Sequence, residues 1–130
     1  MDYDPKNHKY KVITMCGSTK FKKEFIECWR QLTLEGNVVF MIAPFWREPD
    51  QRDFNEDVLE MFQQLHYQKI HMSDAIFVVN PGGYIGESTA KEIAKAREWG
   101  KEILYLEKMD DPKFMSHKEL ENLAIDVLNE

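Results

Sequence analysis

The chain is short of the residues that define several function classes. Two cysteines, Cys16 and Cys28, cannot frame a disulfide scaffold, and Cys16 reads instead as a small hydrophobe at a buried strand end. Positive charge is scarce as well. Seventeen Lys and Arg stand against 23 Asp and Glu, a formal net charge of −6. Phosphate polymers are gripped by basic surfaces, so no nucleic acid polymer is expected as partner. No apolar run approaches the roughly 20 residues of a membrane span. The opening stretch MDYDPKNHKYK is polar and lacks the apolar core of a signal peptide. A cytoplasmic protein with no membrane partner is the expectation.

Several site motifs are missing too. CGSTKFKK lacks the GxxxxGK(S/T) spacing of a P-loop, and GGYIG is not GxGxxG. No arginine closes the loop after Cys16 as a cysteine phosphatase would require. His66 and His71 are five apart, which separates them by about 140° on a helix, while His8 and His117 lie near the two ends. Neither a metal nor a cofactor is therefore expected. A flavin is disfavoured because the loop after the first strand is too short to wrap its phosphate.

What is present is the pattern of a small α/β protein. The 43% hydrophobic and 31% charged content over 130 residues suits one core and not two, so residues 1–130 are read as one α/β domain with residues 1–8 frayed. Residues 10–15 (YKVITM), 37–42 (NVVFMI), 75–79 (AIFVV) and 102–106 (EILYL) read as strands. Between them, Phe21, Phe25, Trp29 and Leu32 form one helical stripe, and Phe54, Val58, Met61, Phe62, Leu65, Lys69 and Ile70 another with a capping start at Asp53–Glu56. A third helix, capped by Ser88 or Thr89, ends at Gly100. A fourth starts near Ser116. Strict β-α alternation with right-handed crossovers predicts a parallel sheet of four, or at most five, strands in the order 2-1-3-4, with helices on both faces.

That topology brings two loops into one crevice, Gly17-Ser18-Thr19-Lys20 after the first strand and residues 80–88 after the third. Hydroxyls and backbone N–H groups of Gly17, Ser18, Thr19, Gly86 and Ser88, with the charge of Lys20, are suited to a phosphate. Turn formation and capping account for the same residues. Phe45 and Trp46, in the loop after the second strand, offer aromatic faces for a planar base, or for a contact between copies. A homodimer or higher homo-oligomer is expected. Glu92 has two readings: Thr89-Ala90-Lys91-Glu92 is a capping box, and an ionised carboxylate in a helix's first turn is also a poised nucleophile. Asp74, at the opposite edge of the sheet, is assigned a turn role.

The segments MCGSTKF, KIHMSDAIFVVN and GGYIGESTAKEIAKAREWGKEILYL, spanning about residues 10–107, resemble the nucleoside 2-deoxyribosyltransferase superfamily. The resemblance implies a flavodoxin-like three-layer α/β/α fold. It also implies either base exchange on deoxyribose or release of the base from nucleoside 5′-monophosphates. The family's nucleophile is a glutamate in a pattern like Glu-(Leu/Ile)-(Gly/Ala)-x-Ala followed by Gly-Lys. Glu92-Ile93-Ala94-Lys95-Ala96 with Gly100-Lys101 matches it and favours the nucleophile reading of Glu92. Two family residues differ. His66 stands eight positions before Asp74, where the family has an aspartate, and Thr14 stands where it tends to have an aromatic hydroxyl. An imidazole can donate or accept a proton near neutral pH, so His66 is a second catalytic candidate; a satisfied core histidine is its plain alternative. The expected function is that of an N-glycosidase or deoxyribosyltransferase acting on a small nucleoside or nucleotide. The rival is a catalytically silent nucleotide-binding or sensor module of the same fold.

Overall fold

The computed structural model describes residues 2–7, 9–42 and 54–108. Within them lie β1 (Val12–Gly17), α1 (Lys22–Leu34), β2 (Val38–Phe40), α2 (Glu56–Met72), β3 (Ala75–Val79), α3 (Glu87–Glu98) and β4 (Glu102–Tyr105). The four strands form one all-parallel sheet in the order β2-β1-β3-β4. This is a flavodoxin-like α/β fold.

The register explains the layers. Ile13 pairs with Ala75 and Gly17 with Val79, so alternate residues of the two central strands face the same way. Ile13, Met15, Ala75 and Val79 pack with Phe21, Phe25, Cys28 and Leu32 on the α1 side. Cys16, Ile76 and Val78 pack with Ile70 of α2 and Ile93 and Ala96 of α3 on the other. Burial on both faces is why both central strands read as nearly continuous apolar runs. Asp74 closes the bottom of the sheet as expected: its carboxylate accepts the Val12 N–H at 2.8 Å.

Several local expectations are corrected. The buried stripe of α1 runs through Phe25, Cys28 and Leu32, and Trp29 is left 45% exposed. Phe25, Cys28 and Leu32 are spaced i, i+3, i+7, the repeat of one helical face, and Trp29 falls at its flank. In α2, Met61 and Leu65 are exposed, and only Ile70 is fully buried. Asn55, not Asp53, caps that helix by accepting the Val58 N–H at 2.9 Å; Asp53 itself lies outside the described residues. Lys69 ends the stripe by donating to the Met41 carbonyl at 3.0 Å, and burial pushes its amine below its ordinary value. Helix α3 is capped by the backbone of Gly86 and by neither Ser88 nor Thr89. It ends as expected at Gly100, φ 71°: the Gly100 N–H bonds Arg97 O and the Lys101 N–H bonds Ala96 O, a Schellman closure that glycine accommodates without strain. Near the amino end, Asp4 accepts N–H groups from Lys6 and Asn7 in an exposed turn. The proposed fourth helix, Phe45 and Trp46 lie outside the described residues.

Candidate functional site

β1 and β3 are neighbours whose onward connections go to opposite sides, and in such sheets a crevice opens beyond the strands' carboxyl ends. Here it is a cleft of about 370 Å³, walled by Gly17, Ser18 and Thr19 from the first loop, by Tyr84 and Gly86–Thr89 from the second, and by one face of α2. The volume falls within the range usual for small-molecule sites.

Each wall has a local cause. Gly17 ends β1 with φ 149°, and a Cβ there would stand 2.8 Å from Val79 O and 3.0 Å from the Phe25 ring. Only glycine lets the chain turn this close to β3. Ser18 caps the short 3₁₀ turn Thr19–Phe21. The β3 loop is fastened by Asn80, fully buried, whose amide donates to Glu107 O at 3.1 Å and whose carbonyl accepts the Glu107 N–H at 2.9 Å. Glu107 in turn accepts the Gly82 N–H at 2.9 Å. With Gly86 as a backbone cap, the first bond within α3 is Ala90 N–H to Gly86 O. The amides of Glu87, Ser88 and Thr89 therefore have no acceptor within the helix. Glu87 is the acidic group of that first turn; its side chain is solvated and 3.7 Å from Lys91.

Glu92 consequently sits in the second turn of α3, and neither the capping-box reading nor the first-turn dipole argument holds for it. Thr89, its supposed partner, is the third helical residue and is buried. Instead the Glu92 carboxylate meets His66: Oε1 lies 2.8 Å from Nε2, and the two side chains are only 12% and 13% exposed. Cys16 Sγ approaches the same Nε2 at 3.4 Å. A relay that activates a thiol needs the carboxylate on the far ring nitrogen, so this arrangement is not a cysteine triad. Burial, followed by the charge of Glu92 and a hydrogen bond to it, pushes the Cys16 thiol well above its ordinary value. It is a neutral thiol. With the Nε2 proton directed at Glu92, His66 is left with a buried Nδ1 that has no partner among the described residues. Tyr67, the next residue on α2, is raised by burial and then by Glu92 and Cys16.

The thiol has a measurable consequence. An unfolded cysteine loses its proton from about pH 8.5 upward, whereas folded Cys16 keeps its own. The stability tied to the neutral thiol is therefore full below that pH and is lost as pH rises toward the folded value. In metal-free buffer, urea unfolding between about pH 8 and 10 should show a decline of up to about 1.4 kcal/mol per pH unit from this group. Cys16→Ala should remove that component; an identical slope in the variant would show that the thiol does not stay protonated.

Of the other sequence candidates, Gly17, Ser18, Thr19, Gly86 and Ser88 line the cleft with His66 and Glu92. Lys20 does not. Its amine lies 3.8 Å from the centroid of the Tyr84 ring, a cation–π contact at the rim. Thr14 is spent elsewhere, its hydroxyl bonded to Ser73 at 2.5 Å. Tyr84 and, beside His66 on the same face of α2, Leu59, Phe62 and Gln63 were not among the sequence candidates. That face has i, i+3, i+4, i+7 spacing, and the polar Gln63 and His66 on it were the available signal.

No model of a known protein family, no curated protein and no solved structure matches this chain.

Proposed function

We propose that the protein cleaves the C1′–N bond of a small nucleoside or nucleoside 5′-monophosphate through Glu92, as an N-glycosidase or deoxyribosyltransferase resembling the nucleoside 2-deoxyribosyltransferase superfamily. The observation that carries this reading is the Glu92–His66 contact of 2.8 Å at the wall of the cleft. A carboxylate held by an imidazole N–H has one oxygen fixed and the other free to attack. Glu92 forms a bond to C1′ as the C1′–N bond breaks through a transition state of oxocarbenium character. The bonding pair leaves with the base, which takes its proton from solvent in the open cleft while the His66 Nε2–H keeps Glu92 in position, and the glycosyl-enzyme passes to water or to a second base.

The remaining walls support a nucleotide. The amides of residues 87–89 have no acceptor within the helix, and Ser88 and the Gly17–Thr19 loop line the same cleft, a set suited to a 5′-phosphate. Phe62 and Tyr84 offer aromatic faces for the base. Exposed Met61, Leu65 and Met72 on α2 support a homo-oligomer. Among the described residues no helix is long and apolar enough to cross a membrane; that and the free Cys16 and Cys28 support a cytoplasmic setting.

Incubation with a panel of nucleosides and 5′-monophosphates, with chromatographic detection of free base, tests the reading. A second reading, a silent nucleotide-binding module, is favoured by Thr14, whose hydroxyl is turned to Ser73. Nucleotide binding without base release from any substrate would establish it. Under either reading a 5′-monophosphate should bind more tightly than its nucleoside at low salt, and the advantage should shrink as salt is added. Equal affinities at low salt would mean that the loops only build turns.

A further inference from the structure

Cys16, His66 and Glu92 come from β1, α2 and α3, and their donor atoms Sγ, Nε2 and a carboxylate oxygen all lie within 4.8 Å of one another. As hydrogen bonding the cluster is imperfect. One proton on Nε2 serves Glu92 at 2.8 Å and leaves the Cys16 contact at 3.4 Å without a proton of its own. A cation placed between the three atoms would satisfy all of them at once.

We propose that Cys16, His66 and Glu92 form a tridentate site for a thiophilic divalent cation of the zinc class, and that its occupation blocks the chemistry of the same cleft. Binding does not depend on the glycosidase reading; only the blocking rests on it. In tetrahedral zinc sites sulfur lies at about 2.3 Å and nitrogen and oxygen at about 2.0–2.2 Å, so neighbouring donors are separated by roughly 3.2–3.6 Å. The sulfur–nitrogen distance already falls in that range. The nitrogen–oxygen distance must open by roughly half an ångström, which a glutamate rotation can supply. Thiolate with imidazole and carboxylate selects zinc over magnesium or calcium, which prefer oxygen alone. His66 and Glu92 line the cleft and Cys16 lies behind them, so the fourth position faces the cleft and is open to water or an anion.

Binding converts the thiol to a thiolate: the metal–sulfur bond forms, the S–H bond breaks, and the proton goes to buffer. The Nε2 proton moves to Nδ1, freeing the lone pair for the metal. Because Nδ1 has no partner among the described residues, the support that usually strengthens a metal-bound histidine is lacking. The site is therefore reversible. Occupied, it removes both the Glu92 nucleophile and the His66 N–H that holds it in position. The sequence expectation of no metal rested on local histidine spacing, and these three donors are far apart along the chain.

Titration of the full chain with Co²⁺ tests the site without any substrate. One equivalent should produce a sulfur-to-cobalt charge-transfer band and the intense visible bands of a four-coordinate ion, and Zn²⁺ should displace both. Cys16→Ala should lose the charge-transfer band and bind at least tenfold more weakly. Glu92→Gln should weaken binding while keeping the band. Cys28→Ser, altered in the α1 cluster on the opposite face, should change nothing. Cobalt bound without a sulfur band, or a band that survives in Cys16→Ala, overturns the site. Base release should stop with one equivalent of Zn²⁺ and return on chelation; release that continues on the zinc-loaded protein overturns the blocking role. If no substrate releases base, the optical titration still decides the site, and only the glycosidase reading falls.

Discussion

Glu92→Gln is expected to lower base release by about a thousandfold or more while leaving the melting temperature unchanged. The substitution conserves shape, and the amide oxygen can still accept the His66 Nε2–H that holds the carboxylate at 2.8 Å. What is lost is the anionic oxygen that would attack C1′, and no neutral amide replaces it. Single-turnover assays of free base, run with thermal melts on both proteins, make the comparison. A variant that keeps a tenth of wild-type turnover with an unaltered melt would remove Glu92 from the covalent step. The measurement is clean because Glu92 is not the cap of its helix. Gly86 fills that role through its backbone, so structure and chemistry at this position are separable.

The largest stability effect is expected from Gly17→Ala. Its φ of 149° is a conformation that L-residues rarely adopt, and the new methyl would meet Val79 O at 2.8 Å and the Phe25 ring at 3.0 Å. The carbonyl belongs to the β1–β3 pairing, in which Gly17 is partnered with Val79, and Phe25 is fully buried in the α1 core. Neither neighbour can retreat without disturbing packing. Backbone strain and overpacking each cost about 1–3 kcal/mol, so a loss of about 3 kcal/mol or more is expected, or roughly 10 °C in melting temperature for a chain of this size. Denaturant unfolding of the two proteins measures it. A loss below about 1 kcal/mol would mean that the strand end relaxes freely. Since Gly17 also lines the cleft, the variant should lose nucleotide affinity at temperatures where it is still folded.

The sequence was most legible where neighbours a few residues apart control the outcome. Strand β3 at Ala75–Val79 is an apolar run between polar flanks, and both its ends fall where the sequence reading put them. Gly100 closes α3 because a left-handed residue is needed there. Strand β1 begins and ends two residues later than the reading of 10–15, since Gly17, locally a turn residue, is drawn into the ladder by Val79. The start of α3 was misplaced for a related reason. Ser88 and Thr89 carry the side chains that usually cap, but the backbone of Gly86 takes the position and leaves them inside the first turn.

Alternation of apolar runs and amphipathic segments, with handed crossovers, was enough for the sequence by itself to determine the parallel sheet, its order 2-1-3-4 and the pairing of the Gly17 loop with the Gly86 loop in one crevice. Those features follow from periodicity and turn chemistry, which act over a few residues. Only the tertiary structure decided that His66 reaches Glu92, that Cys16 stands against the same ring nitrogen, that Lys20 rests on Tyr84 and that Thr14 is taken by Ser73. Each of these depends on how far a helix is rotated over the sheet, and that rotation is set by packing of the whole core, not by any short stretch of sequence.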